Sequence, residues 1–131
     1  MPILQASAGN PHRKMVLIVD DDPAVLNSLK FSLDIEGYEV AAFTNPRDFL
    51  LAAPPADACL VIDQNLPGMS GLDVVGELRR RGVDMAAVLI TSYPPPLLRE
   101  RAAAAAVPIV EKPLLGNTLV ETIRAMMDGH R

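Results

Sequence analysis

Residues 15–23 read MVLIVDDDP, an apolar run that ends in three aspartates and a proline. Five consecutive apolar residues, rich in β-branched side chains, predict a strand that is buried on both faces. The carboxylate of Asp22 suits a helix N-cap, and Pro23 suits the first helical position. The stretch therefore predicts a strand that leads through an acidic turn directly into a helix, which is the first half of a parallel β–α–β unit.

The same unit recurs along the rest of the chain. Further strands are predicted at Tyr38–Phe43, Ala58–Ile62, Ala87–Ile90 and Ile109–Val110. Helical signals follow each strand, and an alanine-rich helix is predicted over Leu97–Ala106. Strict alternation of this kind indicates a parallel sheet covered by helices on both faces. The sequence therefore predicts an α/β fold, a doubly wound five-stranded parallel sheet of (βα)5 flavodoxin-like type with strand order 2-1-3-4-5. The predicted helices begin after Asp22, Asn45, Ser70, Pro96 and Asn117.

Length and composition narrow the class of protein. The 131 residues suit one domain, which we expect to span residues 15–131 after a flexible N-terminal tail at residues 1–14. A formal net charge of −4, without a basic patch carrying aromatic residues, argues against direct binding of nucleic acid. No apolar stretch approaches the roughly 20 residues that cross a membrane. Because Cys59 is the single cysteine, no internal disulfide can form, and we expect a cytoplasmic protein.

Polar residues follow four of the predicted strands at their carboxyl ends. Asp20 and Asp21 follow the first, Asp63 the third, Thr91 the fourth and Lys112 the fifth. In open α/β sheets this edge is where ligands bind, next to the point where the strand order reverses. Since strands one and three are neighbours in the predicted order, the three aspartates are expected to converge.

Such a cluster of carboxylates needs a positive partner. At about 4 Å and an effective dielectric constant near 20, each pair costs about 4 kcal/mol. Mg²⁺ suits the site because it takes oxygen ligands and commonly uses one or two carboxylates. A carboxylate beside Mg²⁺ can attack phosphorus, and Lys112 and the Thr91 hydroxyl would then bind the acquired phosphoryl group. Taken singly, each residue also fits a plain structural role, as a turn, a helix cap or a solvated lysine.

Four stretches resemble the receiver domains of two-component response regulators. The last seven residues of one of them, Leu66–Leu72, are similar in particular to receivers of the nitrogen-fixation regulator type. The similarity runs from about Met15 to the C-terminus and identifies the chain as a single-domain receiver. The four stretches are Val19–Pro23, Ile62–Leu72, Leu89–Tyr93 and Glu111–Pro113.

The resemblance implies a role for each acidic residue. Asp63 would accept a phosphoryl group from a sensor histidine kinase or a histidine phosphotransfer protein. Asp21, Asp63 and the backbone carbonyl of Asn65 would ligate Mg²⁺, and Asp20 would act through water. The implied chemistry is Mg²⁺-dependent self-phosphorylation and dephosphorylation, without any further enzymatic activity.

The resemblance also implies how the signal is passed on. Thr91 would swing toward the phosphoryl group, Lys112 would pair with it, and the Lys112–Pro113 bond would be cis. Both side chains are expected to be accessible, so replacing either with alanine should cost little stability. Two departures from the family fall in the output region: Ile109 stands where an aromatic residue is usual, and Ala105–Pro108 replaces a turn that tends to contain glycine.

Three alternatives remain open at this stage. A pseudo-receiver would keep the fold without phosphorylation, and Ile109 favours it mildly. A haloacid-dehalogenase-type phosphatase would use the aspartates of residues 20–22, but Ala24 stands where that family has Thr or Val. A flavin binder would need a glycine- and hydroxyl-rich phosphate loop after the first strand, where this chain is acidic. The favoured hypothesis is a relay that passes its signal to a downstream protein target, as a monomer or weak dimer.

Overall fold

The computed structural model of the chain describes residues 14–114 and 116–129, which form strands and helices in strict alternation. The predicted N-terminal tail lies outside the described residues, apart from Lys14. The strands are β1 (Met15–Val19), β2 (Glu39–Phe43), β3 (Cys59–Asp63), β4 (Ala86–Thr91) and β5 (Ile109–Glu111). The helices are α1 (Pro23–Ile35), α2 (Pro46–Leu51), α3 (Gly71–Arg80), α4 (Pro96–Ala104) and α5 (Thr118–Gly129).

The five strands form one parallel sheet in the order β2-β1-β3-β4-β5, which confirms the predicted fold class and strand order. The register aligns the carboxyl ends of the strands: Val19 lies beside Ile62, and Asp63 lies beside Ile90. This last pairing places Asp63 inside β3, one residue beyond the predicted end of that strand. All the polar residues singled out above therefore lie along the same edge of the sheet.

Side chains of successive strand residues enter two separate cores, one on each face of the sheet. In β1, Leu17 and Val19 pack into the first core, and Val16 and Ile18 pack into the second. Helices α2, α3 and α4 cover the first face, and α1 and α5 cover the second. Their buried residues include Phe49, Leu72, Val75, Leu78 and Leu98 on the first face and Leu26, Leu29, Leu33, Leu119 and Ile123 on the second. Among the described residues, no helix is both long enough and apolar enough to span a membrane.

Helix α4 ends at Ala104, two residues before the predicted end. Ala106 adopts a left-handed backbone conformation with φ of +58°, and the N–H of Val107 donates to the carbonyl of Ala102 at 2.9 Å. This is the hydrogen bond that closes a Schellman motif. The prediction extended the helix because alanine favours it, but Pro108 disfavours a helical conformation at the preceding residue, so the chain turns away earlier.

Candidate functional site

Three aspartates meet at the carboxyl edge of the sheet, as predicted. Asp20, Asp21 and Asp63 each offer a carboxylate oxygen, and these oxygens lie within 4.8 Å of one another. Asp20 is completely buried, Asp63 is 5% exposed and Asp21 is exposed. The cluster forms because β1 and β3 are hydrogen-bonded neighbours whose carboxyl ends lie side by side, with Val19 opposite Ile62.

Lys112 extends from the end of β5 into this cluster. Its Nζ lies 3.3 Å from Oδ2 of Asp20 and 3.5 Å from Oδ2 of Asp63, and its side chain is 23% exposed. Among the described side chains, one ammonium group therefore faces three carboxylates. The ammonium offsets only part of the negative charge, and the remainder favours a bound cation.

The surroundings of Asp63 oppose its ionisation. Burial raises the pKa of the Asp63 carboxyl, and the nearby charge of Asp20 raises it further. The Asn65 backbone N–H, which donates to Oδ1 at 3.2 Å, and the Lys112 ammonium lower this pKa, but the net effect is upward. A positive partner is therefore more important for the ionisation of Asp63 than for the ionisation of an exposed aspartate.

Thr91, the last residue of β4, lies at the same edge but is 2% exposed. The expectation that it is accessible is wrong, because the residue lies within the sheet between β3 and β5, where it pairs with Glu111. The side-chain amide of Asn65 reaches across from the β3–α3 loop and donates to the Thr91 hydroxyl at 3.4 Å. The resemblance implied a role for the Asn65 backbone carbonyl alone, and no pattern in the sequence indicated this side-chain contact.

Asp22, the third acidic residue after β1, turns away from the cluster. Its carboxylate accepts the N–H of Ala24 at 3.0 Å and caps α1, which confirms the structural role predicted for it. Its own N–H donates to Oδ1 of Asp20 at 2.9 Å. Asp22 therefore helps to orient Asp20 without adding its charge to the site.

Gln64 is a residue of the site that sequence reasoning missed. Its backbone carbonyl accepts the N–H of Gly71 at 3.1 Å, and its side-chain oxygen accepts the N–H of Leu72 at 2.9 Å. A Cβ added to Gly71 would lie 2.6 Å from the carbonyl oxygen of Asp63, so only glycine lets the start of α3 approach this closely. The one available signal was the position of Gln64 directly after Asp63.

The donor set of the cluster fits Mg²⁺. Two oxygens bound to one octahedral Mg²⁺ lie about 3 to 4 Å apart, since each bond is about 2.0–2.1 Å long. Carboxylate oxygens that lie within 4.8 Å of one another need only small adjustments to reach such an arrangement.

The Lys112–Pro113 peptide bond is cis, as the resemblance implies.

Comparison with known proteins gives consistent matches. Residues 16–124 match the family described as the response regulator receiver domain. The transcriptional regulatory protein FixJ of Azorhizobium caulinodans is 36% identical over 119 residues, which are 89% of this chain and 56% of that protein. Nodulation protein W of Bradyrhizobium diazoefficiens is 31% identical over 121 residues, which are 91% and 53% of the two chains.

A solved structure, the crystal structure of FixJ-N, has a TM-score of 0.79 at 29% identity and covers 92% of this chain and 98% of its own. These matches give no support to the pseudo-receiver, phosphatase or flavin-binding alternatives. The chain spans about half the length of the curated relatives it matches.

Proposed function

The chain belongs to the response regulator receiver domain family of two-component systems, and from this membership we propose that Asp63 accepts a phosphoryl group in a Mg²⁺-dependent reaction. The observation that carries the proposal is the cluster of Asp20, Asp21 and Asp63 with the Lys112 ammonium within 3.5 Å of two of them. Asp63 contacts Lys112 directly, and burial raises the pKa of its carboxyl. The phosphoryl donor is a histidine kinase or a histidine phosphotransfer protein.

In the transfer, a carboxylate oxygen of Asp63 attacks the phosphorus of the donor phosphohistidine. The O–P bond forms as the P–N bond breaks, and the electron pair stays on the imidazole nitrogen, which then takes a proton from solvent. Asp21, Asp63 and the Asn65 carbonyl would hold Mg²⁺, with Asp20 acting through water, and the ion would offset the charge of the carboxylates and of the phosphoryl oxygens.

Lys112 and Thr91 bind the phosphoryl group after transfer. The Lys112 ammonium pairs with a phosphoryl oxygen in place of its contact with Asp63. Before transfer, the Thr91 hydroxyl accepts a hydrogen bond from the Asn65 side chain. After transfer it turns and donates to another phosphoryl oxygen. This exchange alters the loops after β3 and β4, and a downstream protein target recognises the altered surface.

Treatment with a small phosphodonor and Mg²⁺, followed by intact-mass measurement, tests the proposal. The wild-type protein should gain the mass of one base-labile phosphoryl group, and removal of Mg²⁺ should prevent the gain. Asp63→Asn should abolish labelling without unfolding the protein. Asp57→Asn is the matched control, because Asp57 is an exposed aspartate outside the cluster. Undiminished labelling of Asp63→Asn would show that the acceptor is another residue.

A further inference from the structure

The residue that follows Asp63 closes the loop between β3 and α3. The first N–H groups of a helix have no partner within the helix. In α3, Gln64 provides acceptors for two of them, its backbone carbonyl for Gly71 at 3.1 Å and its side-chain oxygen for Leu72 at 2.9 Å. Ser70 provides the acceptor for the next, the N–H of Asp73, at 3.2 Å. Gln64 thus accepts the first two N–H groups of α3, and Ser70 accepts the next two, with its side chain for Asp73 and its carbonyl for Val74 at 3.1 Å.

This closure brings the start of α3 against the backbone of Asp63. The space around Gly71 is so tight that an added Cβ would lie 2.6 Å from the Asp63 carbonyl oxygen. On its other side, the N–H of Gln64 donates to the carbonyl of Ile90 in β4 at 3.0 Å. Gln64, which directly follows Asp63, is therefore tied both to β4 and to α3.

The loop that Gln64 closes also contains Asn65, which contacts both the Asp63 carboxylate and Thr91. The Asn65 backbone N–H donates to Oδ1 of Asp63, and the Asn65 side chain donates to the Thr91 hydroxyl. A displacement of the first turn of α3 would be transmitted through Gln64 to Asn65 and hence to the carboxylate. A glutamine suits this position because it offers an acceptor without adding a fourth negative charge beside the aspartates.

We propose that Gln64 is a positioning residue for Asp63. The side-chain amide of Gln64 holds the first turn of α3 against the backbone of Asp63 and thereby sets the affinity for Mg²⁺ and the rate of phosphorylation. The inference rests on the proposed function of Asp63. It assigns to Gln64 a role through Asp63 and Asn65, and no contact with the phosphoryl group.

Gln64→Met tests the role, because methionine has a similar length and lacks the acceptor. The matched control is Ser70→Ala, which removes the other side-chain cap from the same turn. Both variants should lose a similar, small amount of thermal stability. Gln64→Met should weaken Mg²⁺ binding, followed through the amide resonances of Asp21 and Asn65, and slow labelling by a small phosphodonor, each by about fivefold, the factor that corresponds to one lost cap. Ser70→Ala should stay within about twofold of wild type on both measures.

Equal effects of the two variants on Mg²⁺ affinity and labelling rate would overturn the proposal, since the loss would then reflect the stability of α3 alone. If Gln64→Met does not fold, Gln64→Ala replaces it in the same comparison. A wild-type protein that neither binds Mg²⁺ nor accepts a phosphoryl group would refute the proposed function itself, whereas a labelled wild type with an unaffected Gln64→Met would refute only the role of Gln64.

Discussion

The Asp63 carboxylate lies in surroundings that disfavour its own charge. It is buried, it faces Asp20 and Asp21, and its pKa is raised above the ordinary value of 3.8 despite the contact with Lys112. Functional carboxylates are commonly held in such environments. The free energy that it costs to bury the ionised group is recovered when a cation or a substrate binds. We therefore expect the ionised Asp63 carboxylate to lower the stability of the metal-free protein while serving its function.

Asp63→Asn should stabilise the metal-free protein at pH 7, by about 1–2 kcal/mol, because it removes one of three mutually repelling carboxylates. Since the folded-state pKa is raised, ionised Asp63 destabilises the fold above that pKa, and the penalty disappears below 3.8, where the group is protonated in both states. The gain in the free energy of unfolding should shrink as the pH falls from 7 toward this value. Urea denaturation at several pH values measures it.

The control for this measurement is Asp57→Asn, which should change stability little at any pH. Mg²⁺ should stabilise the wild type more than Asp63→Asn, because binding to the folded state raises its stability. A loss of stability in metal-free Asp63→Asn would contradict the account of the cluster.

Lys112→Met should destabilise the metal-free protein, by about 2 kcal/mol, because it leaves the buried Asp20 and Asp63 without their ammonium partner. The sequence led us to expect little cost, since it gave no measure of how far this lysine is buried. Saturating Mg²⁺ should restore part of the loss, and thermal unfolding with and without the ion measures both effects. Lys30→Met, which alters an exposed lysine on α1, is the control; an equal response of the two variants would argue against the pairing.

Among the elements, four helices are followed by a residue in the left-handed conformation. This residue is glycine after α1 and α3, where Gly37 and Gly82 have φ of +96° and +83°, but alanine after α2 and α4, where Ala53 and Ala106 have φ of +48° and +58°. A residue with a Cβ is strained in this region, by roughly 1–2 kcal/mol. The turn before β5 therefore has the conformation that a glycine would favour, although the sequence supplies alanine there.

Ala106→Gly should stabilise the protein by about 0.5–1 kcal/mol, since relief of the strain exceeds the added flexibility of the unfolded chain. Ala103→Gly is the matched control: it lies inside α4, and there the same change should cost about 1 kcal/mol. Chemical denaturation of both variants measures the difference. A destabilising Ala106→Gly would mean that the left-handed turn is not strained.

Ile109, the first residue of β5, is half-buried and packs against the core beneath α4. As a β-branched residue it is stiff about χ1, and it has no hydroxyl to exchange between interior and solvent. We therefore expect phosphorylation to change the conformation mainly at residues 64–69 and 91–97, and a target to recognise the protein there. Amide shift differences between the free and the beryllofluoride-bound protein measure this distribution. Larger changes around Ile109 and α5 than around these loops would contradict it.

The sequence predicted those features that depend on local patterns. The apolar run at Met15–Val19 predicted both ends of β1 correctly. Once the strand order was known, the positions of Asp63 and Lys112 at strand ends were enough to predict that they lie close together. It did not predict the burial of Thr91 or the bonds of Gln64, because both depend on how the β3–α3 loop packs onto neighbouring elements. Nor did alanine-rich composition reveal the left-handed turn at Ala106, which Pro108 and tertiary packing impose.

At the scale of the whole molecule, the parallel sheet is what assembles the site. Asp20 and Lys112 are 92 residues apart in sequence, yet their side chains lie 3.3 Å apart because both follow strands that end at the same edge. The two cores hold the strands in register. Our central claim is that the Asp63 carboxylate at this edge becomes phosphorylated.

The most direct test of that claim is identification of the modified residue in the wild-type protein. After reaction with a small phosphodonor and Mg²⁺, borohydride reduces an aspartyl phosphate to homoserine, and peptide mapping then locates the converted residue. We expect conversion at Asp63 alone, dependent on Mg²⁺. Conversion at Asp20, Asp21 or an exposed aspartate in place of Asp63 would contradict it.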